Sequence, residues 1–229
     1  MNRNIQNNRF VVFLDIMGFK DRVARNSPEQ LYEELSGFNS DIVRIISHSS
    51  RKKFVNEIDT ASSIFLSNEN KLMLAQFSDS IAIFTQDDSQ KSLSLLAESV
   101  SKIFMSALTR KNPIPLKGAL SKGYITCDMT KQLFFGQAII DAYLLEENVQ
   151  YYGIVVHHTA ENDVKQLNSN LFRDTFVPLK SGRIKHFELS WYTIDIQQAQ
   201  NGLEQIRLTV SDSPRKYIDN TISVIEESC

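Results

Sequence analysis

The apolar residues of the chain form short continuous runs in some segments and helically spaced stripes in others. Residues 10–16 are such a run, interrupted only by Asp15 near its end, which is typical of a central strand covered on both faces. Residues 72–77 and 81–85 are two more runs, and the link 78–80 between them is short enough for a β-hairpin. Further strands are predicted at 116–126, 151–156, 176–179 and 187–196.

Two long segments carry apolar residues at the helical spacing of three and four. The first begins at Ser27, which can form a capping box with Gln30 around Pro28, and its stripe extends to Ile45. The second covers about 89–108, and the prolines that follow it stop further helix. Shorter helices are predicted at 137–147 and 159–167, with one or two helices over 201–227.

The order of these elements predicts the fold class. A strand, a helix, a hairpin and then alternating helices and strands indicate an α+β fold, with the helices layered on one face of an antiparallel or mixed sheet. A length of 229 residues suits one domain. We expect residues 1–196 to form its core and 197–229 to form a C-terminal helical extension of the same domain.

Composition and charge exclude several classes of protein. A hydrophobic fraction of 42% excludes a mainly disordered chain. The 25 basic and 27 acidic residues leave a net charge of −2, so the basic surface that a nucleic-acid partner requires is missing. No stretch approaches the roughly 18 apolar residues of a membrane span, and the N-terminus lacks the apolar run of a signal peptide. Together with only two cysteines, these features predict a cytoplasmic protein without a membrane partner.

Two aspartates stand out because each interrupts apolar sequence. Asp15 lies at the end of the first strand and Asp79 in the hairpin link. An ionised carboxylate among apolar strands is costly unless a cation compensates it, and Mg²⁺ prefers carboxylate oxygens. Aspartate is also a common turn residue, so Asp79 by itself is better explained as part of the turn, while for Asp15 alone the two explanations are equally good.

At this point the sequence resembles a known family. Phe13-Leu14-Asp15-Ile16-Met17-Gly18-Phe19 is similar to the Phe-x-Asp-Ile-x-Gly-Phe signature of class III nucleotidyl cyclases. Later segments resemble that family in the same order, with Ser78 where the hairpin of the family usually has glycine. These segments are 77–80 with Asp79, 117–123, the helix from Phe135 to Glu146, and the closing hairpin 177–194 with its lysine, Lys180.

The resemblance implies a cyclase fold with a ferredoxin-like core, an activity and a set of site residues. Asp15, Asp79 and the Ile16 carbonyl would hold two Mg²⁺ or Mn²⁺ ions per active site. The ribose 3′-oxygen would attack the α-phosphorus, and pyrophosphate would leave. The residues implied in nucleotide or phosphate binding are Phe13, Lys20, Lys180 and Arg183, together with Met17, Gly18 and Phe19. The last three would act through their backbone amides.

The chain departs from purine cyclases at four positions. Ala75 and Leu133 stand where base-reading polar residues are usual, and Ile140 and Leu144 stand where the family has its transition-state Asn and Arg. With these substitutions the chain is similar to the bacterial pyrimidine cyclases of the Pycsar anti-phage system, whose cyclic nucleotide activates a separate effector. The resemblance implies conversion of UTP to cyclic UMP, with UTP preferred to CTP on family frequency. Three alternatives stay open: a cytidylate cyclase, a purine cyclase, and a catalytically silent nucleotide-binding module.

The resemblance also implies a homodimer with active sites at the interface, and apolar positions around Phe135 and Ile140 suit such a surface as well as they suit a core. Polar groups that replace the usual base-reading and transition-state residues must then come from nearby positions. The candidates for base or transition-state contacts are Arg51, Phe54, Ala75, Phe77, Lys117, Gln137 and Asp141. Gln137 and Asp141 are one helical turn apart, and ordinary helix surface explains each of them somewhat better than a site contact.

Two other features are set aside as sites. His157 and His158 are adjacent at a predicted strand end, so their rings should point to opposite faces and share no metal. Trp191, the single tryptophan, is predicted to be a core residue of the last strand. Neither feature adds a second active site to the prediction.

Overall fold

The computed structural model describes residues 6–48 and 72–228 of the chain. Its strands are β1 (Gln6–Ile16), β2 (Leu72–Phe77), β3 (Ser80–Thr85), β4 (Leu116–Asp128), β5 (Leu133–Phe135), β6 (Ile154–Val156), β7 (Phe172–Leu179) and β8 (Gly182–Leu189). Its α-helices are α1 (Phe19–Arg25), α2 (Pro28–His48), α3 (Gln90–Leu108), α4 (Gln137–Glu146), α5 (His158–Leu167), α6 (Ile196–Arg207) and α7 (Ser213–Glu226). Among these described helices, none combines the length and apolarity that crossing a membrane requires.

All the described strands join one mixed sheet in the order β2-β3-β1-β4-β6-β8-β7, and β5 pairs with β4. The neighbours are antiparallel except β4 and β6, which are parallel. Strand β1 lies between β3 and β4, which explains its continuous apolar sequence. The predicted α+β class with a mixed sheet is confirmed.

Alternate residues of β1 belong to two different clusters of buried side chains. Phe10, Val12, Leu14 and Ile16 join the large core, which contains residues of α2, α3, α5, α6 and α7. Val11 and Phe13 join a smaller cluster on the opposite face, which contains Ala138 and Ala142 of α4. The expectation that all helices lie on one face is therefore wrong for α4, which packs on the other face because its small residues fit closely against β1 and β4.

The two long helices begin where the sequence predicts. The backbone N–H of Gln30 donates to Ser27 Oγ at 3.3 Å, and the Ser27 N–H donates to Gln30 Oε1 at 3.1 Å, which completes the capping box at α2. Ser89 caps α3 by accepting a hydrogen bond from the Ser92 N–H at 3.2 Å. Local side-chain chemistry thus sets both N-termini.

The later strands differ from their predicted bounds. Residues 151–153 form a bend before the short β6, and β7 and β8 form one long hairpin that ends at Leu189. Trp191–Ile194 is a 3-10 helix instead of the predicted end of a strand. Its cause is the indole of Trp191, which is fully buried, packs against Phe104 and donates from Nε1 to the Tyr152 carbonyl. Trp191 is therefore a core residue, as predicted, but not a strand residue.

Glu188 forms a buried polar network beneath the C-terminal helices. Its carboxylate accepts hydrogen bonds from the hydroxyls of Tyr192 at 2.8 Å and Tyr151 at 3.2 Å, and pairs with the Arg173 guanidinium at 2.9 Å. Burial raises the pKa of Glu188, and these partners act against that rise. The network joins β8, β7 and the segment after α4, so it fixes the C-terminal half of the sheet.

Replacing Glu188 with alanine is expected to lower the free energy of unfolding by about 3–5 kcal/mol, because it leaves the partly buried Arg173 guanidinium without its charge partner and two buried hydroxyls without this acceptor. Urea unfolding followed by circular dichroism measures the loss. The control is Glu98→Ala on the exposed side of α3, which should change stability by less than about 0.5 kcal/mol. Equal effects of the two variants would show that the network contributes nothing specific.

Candidate active site

Asp15 and Asp79 lie next to each other at one end of the sheet. Asp15 is the second-last residue of β1 and pairs with Ser80 of β3 and Lys117 of β4. The backbone N–H of Ile16 donates to the Asp79 carbonyl at 2.9 Å, which fastens the β2–β3 turn to the end of β1. The tertiary structure therefore brings together two aspartates that are 64 positions apart in sequence.

The β2–β3 turn is tighter than the sequence suggests. Ser80 already belongs to β3 and pairs with Phe77, so only Ser78 and Asp79 remain in the loop. Ser78 has a φ of 55°, a left-handed value that a residue without a β-carbon adopts at less cost. This geometry explains why a glycine is usual at that position in the family that the sequence resembles.

Asp15 is half-buried on the face of the sheet that α4 covers, in the same row as Val11 and Phe13. Burial raises the pKa of the Asp15 carboxyl, the negative charge of Asp79 raises it further, and the Lys117 ammonium opposes both effects. Two carboxylates that repel each other at a partly buried position favour a bound cation.

The donor set fits a hard divalent cation such as Mg²⁺ or Mn²⁺. Asp15 and Asp79 supply carboxylate oxygens, and the Ile16 carbonyl lies at the same strand end. In the described part of the chain no three His, Cys, Asp or Glu side chains form a metal-binding group. The remaining ligands of any cation held here would therefore be backbone, water or substrate oxygens, as is usual for Mg²⁺.

Lys117 and Glu146 form a buried ion pair beside Asp15. The Lys117 Nζ lies 2.9 Å from Glu146 Oε1 and 3.1 Å from the Glu146 carbonyl oxygen. The two side chains are only 10% and 4% exposed. Burial raises the pKa of Glu146, while the hydrogen bond from Lys117 lowers it. Glu146 is absent from the predicted site residues, although the helix segment that resembles the cyclase family ends at this acid.

The turn after β1 presents fewer free amides than the sequence suggests. Gly18 adopts a φ of 74° and begins α1, a helix that the sequence did not predict. The Met17 N–H already donates to the Pro115 carbonyl at 2.9 Å. The amides of Gly18 and Phe19 remain for an anion, because the first N–H groups of a helix have no acceptor within it.

The three candidate phosphate-binding cations have different surroundings. The Arg183 guanidinium pairs with Glu227 of the chain after α7, at 2.5 Å and 2.6 Å, and also donates to the Phe176 carbonyl at 2.8 Å. Lys180 is exposed, and its backbone N–H donates to Asn148, two residues beyond Glu146. Lys20 is exposed on α1. Lys180 is therefore a better candidate for phosphate binding than Arg183, whose charge is already paired.

Apart from Lys117, which pairs with Glu146, the predicted base and transition-state contacts fall into three groups. Gln137 and Asp141 bond to each other across one turn of α4, at 2.8 Å. Phe77 is 85% exposed at the end of β2, and Ala75 lies half-buried against the smaller cluster on the same face. Arg51 and Phe54 lie outside the described residues.

Tyr143 of α4, which the sequence places on the same helix as Gln137 and Asp141, is a further neighbour of the site. Its ring packs edge-to-face against Phe13, with 5.6 Å between the ring centroids. Its hydroxyl donates to Glu147 at 3.0 Å, and this hydrogen bond raises the pKa of Tyr143. Tyr143 of α4 thereby covers the Phe13 ring.

The prediction that the His157 and His158 rings point to opposite faces is wrong. The ring centroids of His157 and His158 are 4.1 Å apart, because these residues begin α5 and do not alternate along a strand. Burial lowers the pKa of His157, and the neighbouring His158 lowers it further. Within the described ranges the pair lacks the third ligand that a metal site needs.

An apolar surface lies around α4 and β5. Ile140 and Leu144 of α4 are 50% and 51% exposed, and Leu133 and Phe135 of β5 are similarly exposed. We call these four residues the α4–β5 surface. The buried residues Ala138 and Ala142 hold the opposite side of α4 against the sheet, so the surface is rigidly supported.

Comparisons with known proteins identify the fold. Neither a family profile nor a curated protein sequence matches the chain. The catalytic core of a rhodopsin-guanylyl cyclase with converted specificity, in complex with ATPαS, matches with a TM-score of 0.60 at 13% identity, over 80% of this chain and 96% of that one. The guanylate cyclase domain of RhGC from Catenaria anguillulae, in complex with GTP, matches with a TM-score of 0.59 at 13% identity, over 81% and 97%.

A third similar structure is an adenylate/guanylate cyclase/hydrolase from Silicibacter pomeroyi, with a TM-score of 0.52 at 13% identity, over 80% of this chain and 96% of that chain. Nearly the whole length of each of these domains has a counterpart here. The chain has the class III nucleotidyl cyclase fold, in agreement with the fold that the sequence predicts.

Proposed function

We propose that this protein is a pyrimidine nucleotide cyclase that converts UTP to 3′,5′-cyclic UMP and pyrophosphate. The observation that carries the proposal is the pair Asp15 and Asp79, joined at one end of the sheet through the Ile16–Asp79 hydrogen bond. Two partly buried carboxylates side by side are energetically costly without a cation, and they are the ligands that a two-metal reaction on this fold needs.

In this proposal the residues at the strand end hold the triphosphate and the cations. Asp15, Asp79 and the Ile16 carbonyl would bind two Mg²⁺ or Mn²⁺ ions, which lower the cost of the attacking alkoxide and neutralise the leaving pyrophosphate. The Gly18 and Phe19 amides donate to phosphate oxygens, and Lys180 or Lys20 adds a positive charge. The protein thereby aligns the ribose 3′-oxygen with the α-phosphorus.

The pyrimidine preference rests on two positions without polar side chains. Ala75 lies half-buried on the same face as Asp15, and Leu133 is part of the α4–β5 surface. Neither side chain can form a hydrogen bond with a purine base. The polar groups that usually select a purine are therefore absent from these two positions. UTP is the proposed substrate and CTP the alternative base of the same class.

We further propose that the enzyme is a cytoplasmic homodimer. The α4–β5 surface is apolar, rigid and close to the site, and a second copy would cover it and complete each active site with its own residues. The product would then act as a soluble signal to a separate effector in an anti-phage defence system. This biological setting follows from the resemblance to Pycsar cyclases.

Incubation with equimolar ATP, GTP, CTP and UTP and with Mn²⁺ tests the substrate. We expect cyclic UMP to be the main product, at least about tenfold above any cyclic purine nucleotide, because one lost polar contact costs that much discrimination. Liquid chromatography with mass spectrometry identifies the products. If cyclic CMP is the main product, the substrate is CTP and the pyrimidine class stands. If cyclic AMP or cyclic GMP is the main product, the pyrimidine assignment is overturned. If no cyclic nucleotide forms, a catalytically silent nucleotide-binding module is favoured.

A further inference from the structure

Lys117 is placed to reach Asp15. The two residues are direct partners in the antiparallel β1–β4 pairing, so their side chains project from the same face. Directly opposite β-carbons are about 5 Å apart, a gap that an extended lysine side chain can span. A partly buried lysine beside a partly buried carboxylate would ordinarily form an ion pair with it.

The ammonium of Lys117 makes its ion pair elsewhere. Within the described residues its carboxylate partner is Glu146, at 2.9 Å, and the carbonyl oxygen of the same residue accepts a second hydrogen bond at 3.1 Å. Glu146 is the last residue of α4, whose other buried residues, Ala138 and Ala142, fasten it to the sheet. The lysine is therefore held by two oxygens whose positions the helix fixes.

We infer that Glu146 is a positioning residue that holds the Lys117 ammonium away from the Asp15 carboxylate and so keeps that carboxylate available to a divalent cation. The inference rests on the proposed function, since it assumes that Asp15 binds a metal ion. In this inference Glu146, at the end of α4, prepares the metal site by holding Lys117 and does not itself contact the substrate.

The physical basis is a competition between two cations for one carboxylate. Without Glu146 the buried ammonium has the Asp15 carboxylate within reach, because the two residues are cross-strand partners. An ion pair there would occupy the oxygens that a metal needs and cancel their charge. Replacing a residue that orients a metal ligand typically weakens binding by about 10–100-fold.

Glu146→Gln removes the charge of the acid and keeps its shape. We expect the variant to bind Mn²⁺ about tenfold more weakly than the wild type. Isothermal titration calorimetry of the full chain with MnCl₂, in the presence of a non-hydrolysable UTP analogue, gives the dissociation constant without turnover. Electron paramagnetic resonance of free Mn²⁺ provides a second readout.

The double variant Lys117→Met/Glu146→Gln separates positioning from folding. It removes the competing ammonium as well, so Mn²⁺ affinity should return to the wild-type value even if melting shows the double variant to be less stable. A merely structural role predicts affinity as low as in Glu146→Gln or lower. The matched control is Asp163→Asn, which releases a different lysine, Lys122, from a 2.8 Å pair and should leave Mn²⁺ binding unchanged.

The outcomes distinguish this inference from the proposed function. Weaker binding in Glu146→Gln with recovery in the double variant supports the inference. Equal affinity of Glu146→Gln and wild type, or no recovery in the double variant, overturns it and leaves the proposed function standing. Equal affinity of wild type and Asp15→Asn overturns the metal assignment of Asp15, and the inference with it.

Discussion

Replacing Asp15 or Asp79 with asparagine is expected to reduce cyclisation by about 10³-fold or more while the protein stays folded. Each change removes one negatively charged ligand and keeps the size and shape of the side chain. A metal ion supplies several kcal/mol of charge stabilisation to such a reaction, and each 1.4 kcal/mol is a factor of ten. Loss of either ligand should therefore abolish measurable product.

The measurement is the rate of product formation with saturating UTP and Mn²⁺. Circular dichroism and thermal melting show whether each variant is folded, and removing the charge at half-buried Asp15 should not destabilise the chain, because the pKa of that carboxyl is already raised. The matched control is Asp219→Asn, which breaks an exposed 2.7 Å pair with Arg207 and should keep full activity. Activity retained in both site variants would contradict the two-metal site.

The second large effect is expected on the α4–β5 surface. Ile140→Asp or Leu144→Glu should weaken dimerisation by roughly thirtyfold or more, since a charge at the centre of an apolar interface costs about 2 kcal/mol or more. Both side chains are about half exposed, so the folded monomer should tolerate the change. Activity should fall with dimerisation, because each proposed site needs residues of a second copy.

Light scattering over a range of protein concentrations gives the oligomeric state, and specific activity is measured at the same concentrations. The control is Leu208→Asp, which places the same charge at a residue that is 86% exposed just after α6 and should change neither quantity. A wild-type monomer that turns over at full rate on dilution would rule out the shared site.

The elements with strong local patterns could be predicted from the sequence alone. Strand β1, both long helices and the β2–β3 hairpin follow from apolar runs, helical spacing, capping residues and a short link. The proximity of Asp15 and Asp79 depends in addition on the antiparallel pairing of β3 with β1, which the sequence left open and which brings the β2–β3 turn to the end of β1. The class III fold could be predicted because the motifs occur in the family order.

The tertiary structure alone decided which face of the sheet α4 covers and which partner each long side chain takes. Arg183 bonds to Glu227, and Lys117 bonds to Glu146 instead of its cross-strand neighbour Asp15. The 3-10 helix at Trp191–Ile194 likewise follows from the pocket that buries the indole. Side chains of lysine and arginine reach several residues in many rotamers, so sequence spacing leaves their partners open. Burial, charge and the packing of distant elements select one of them.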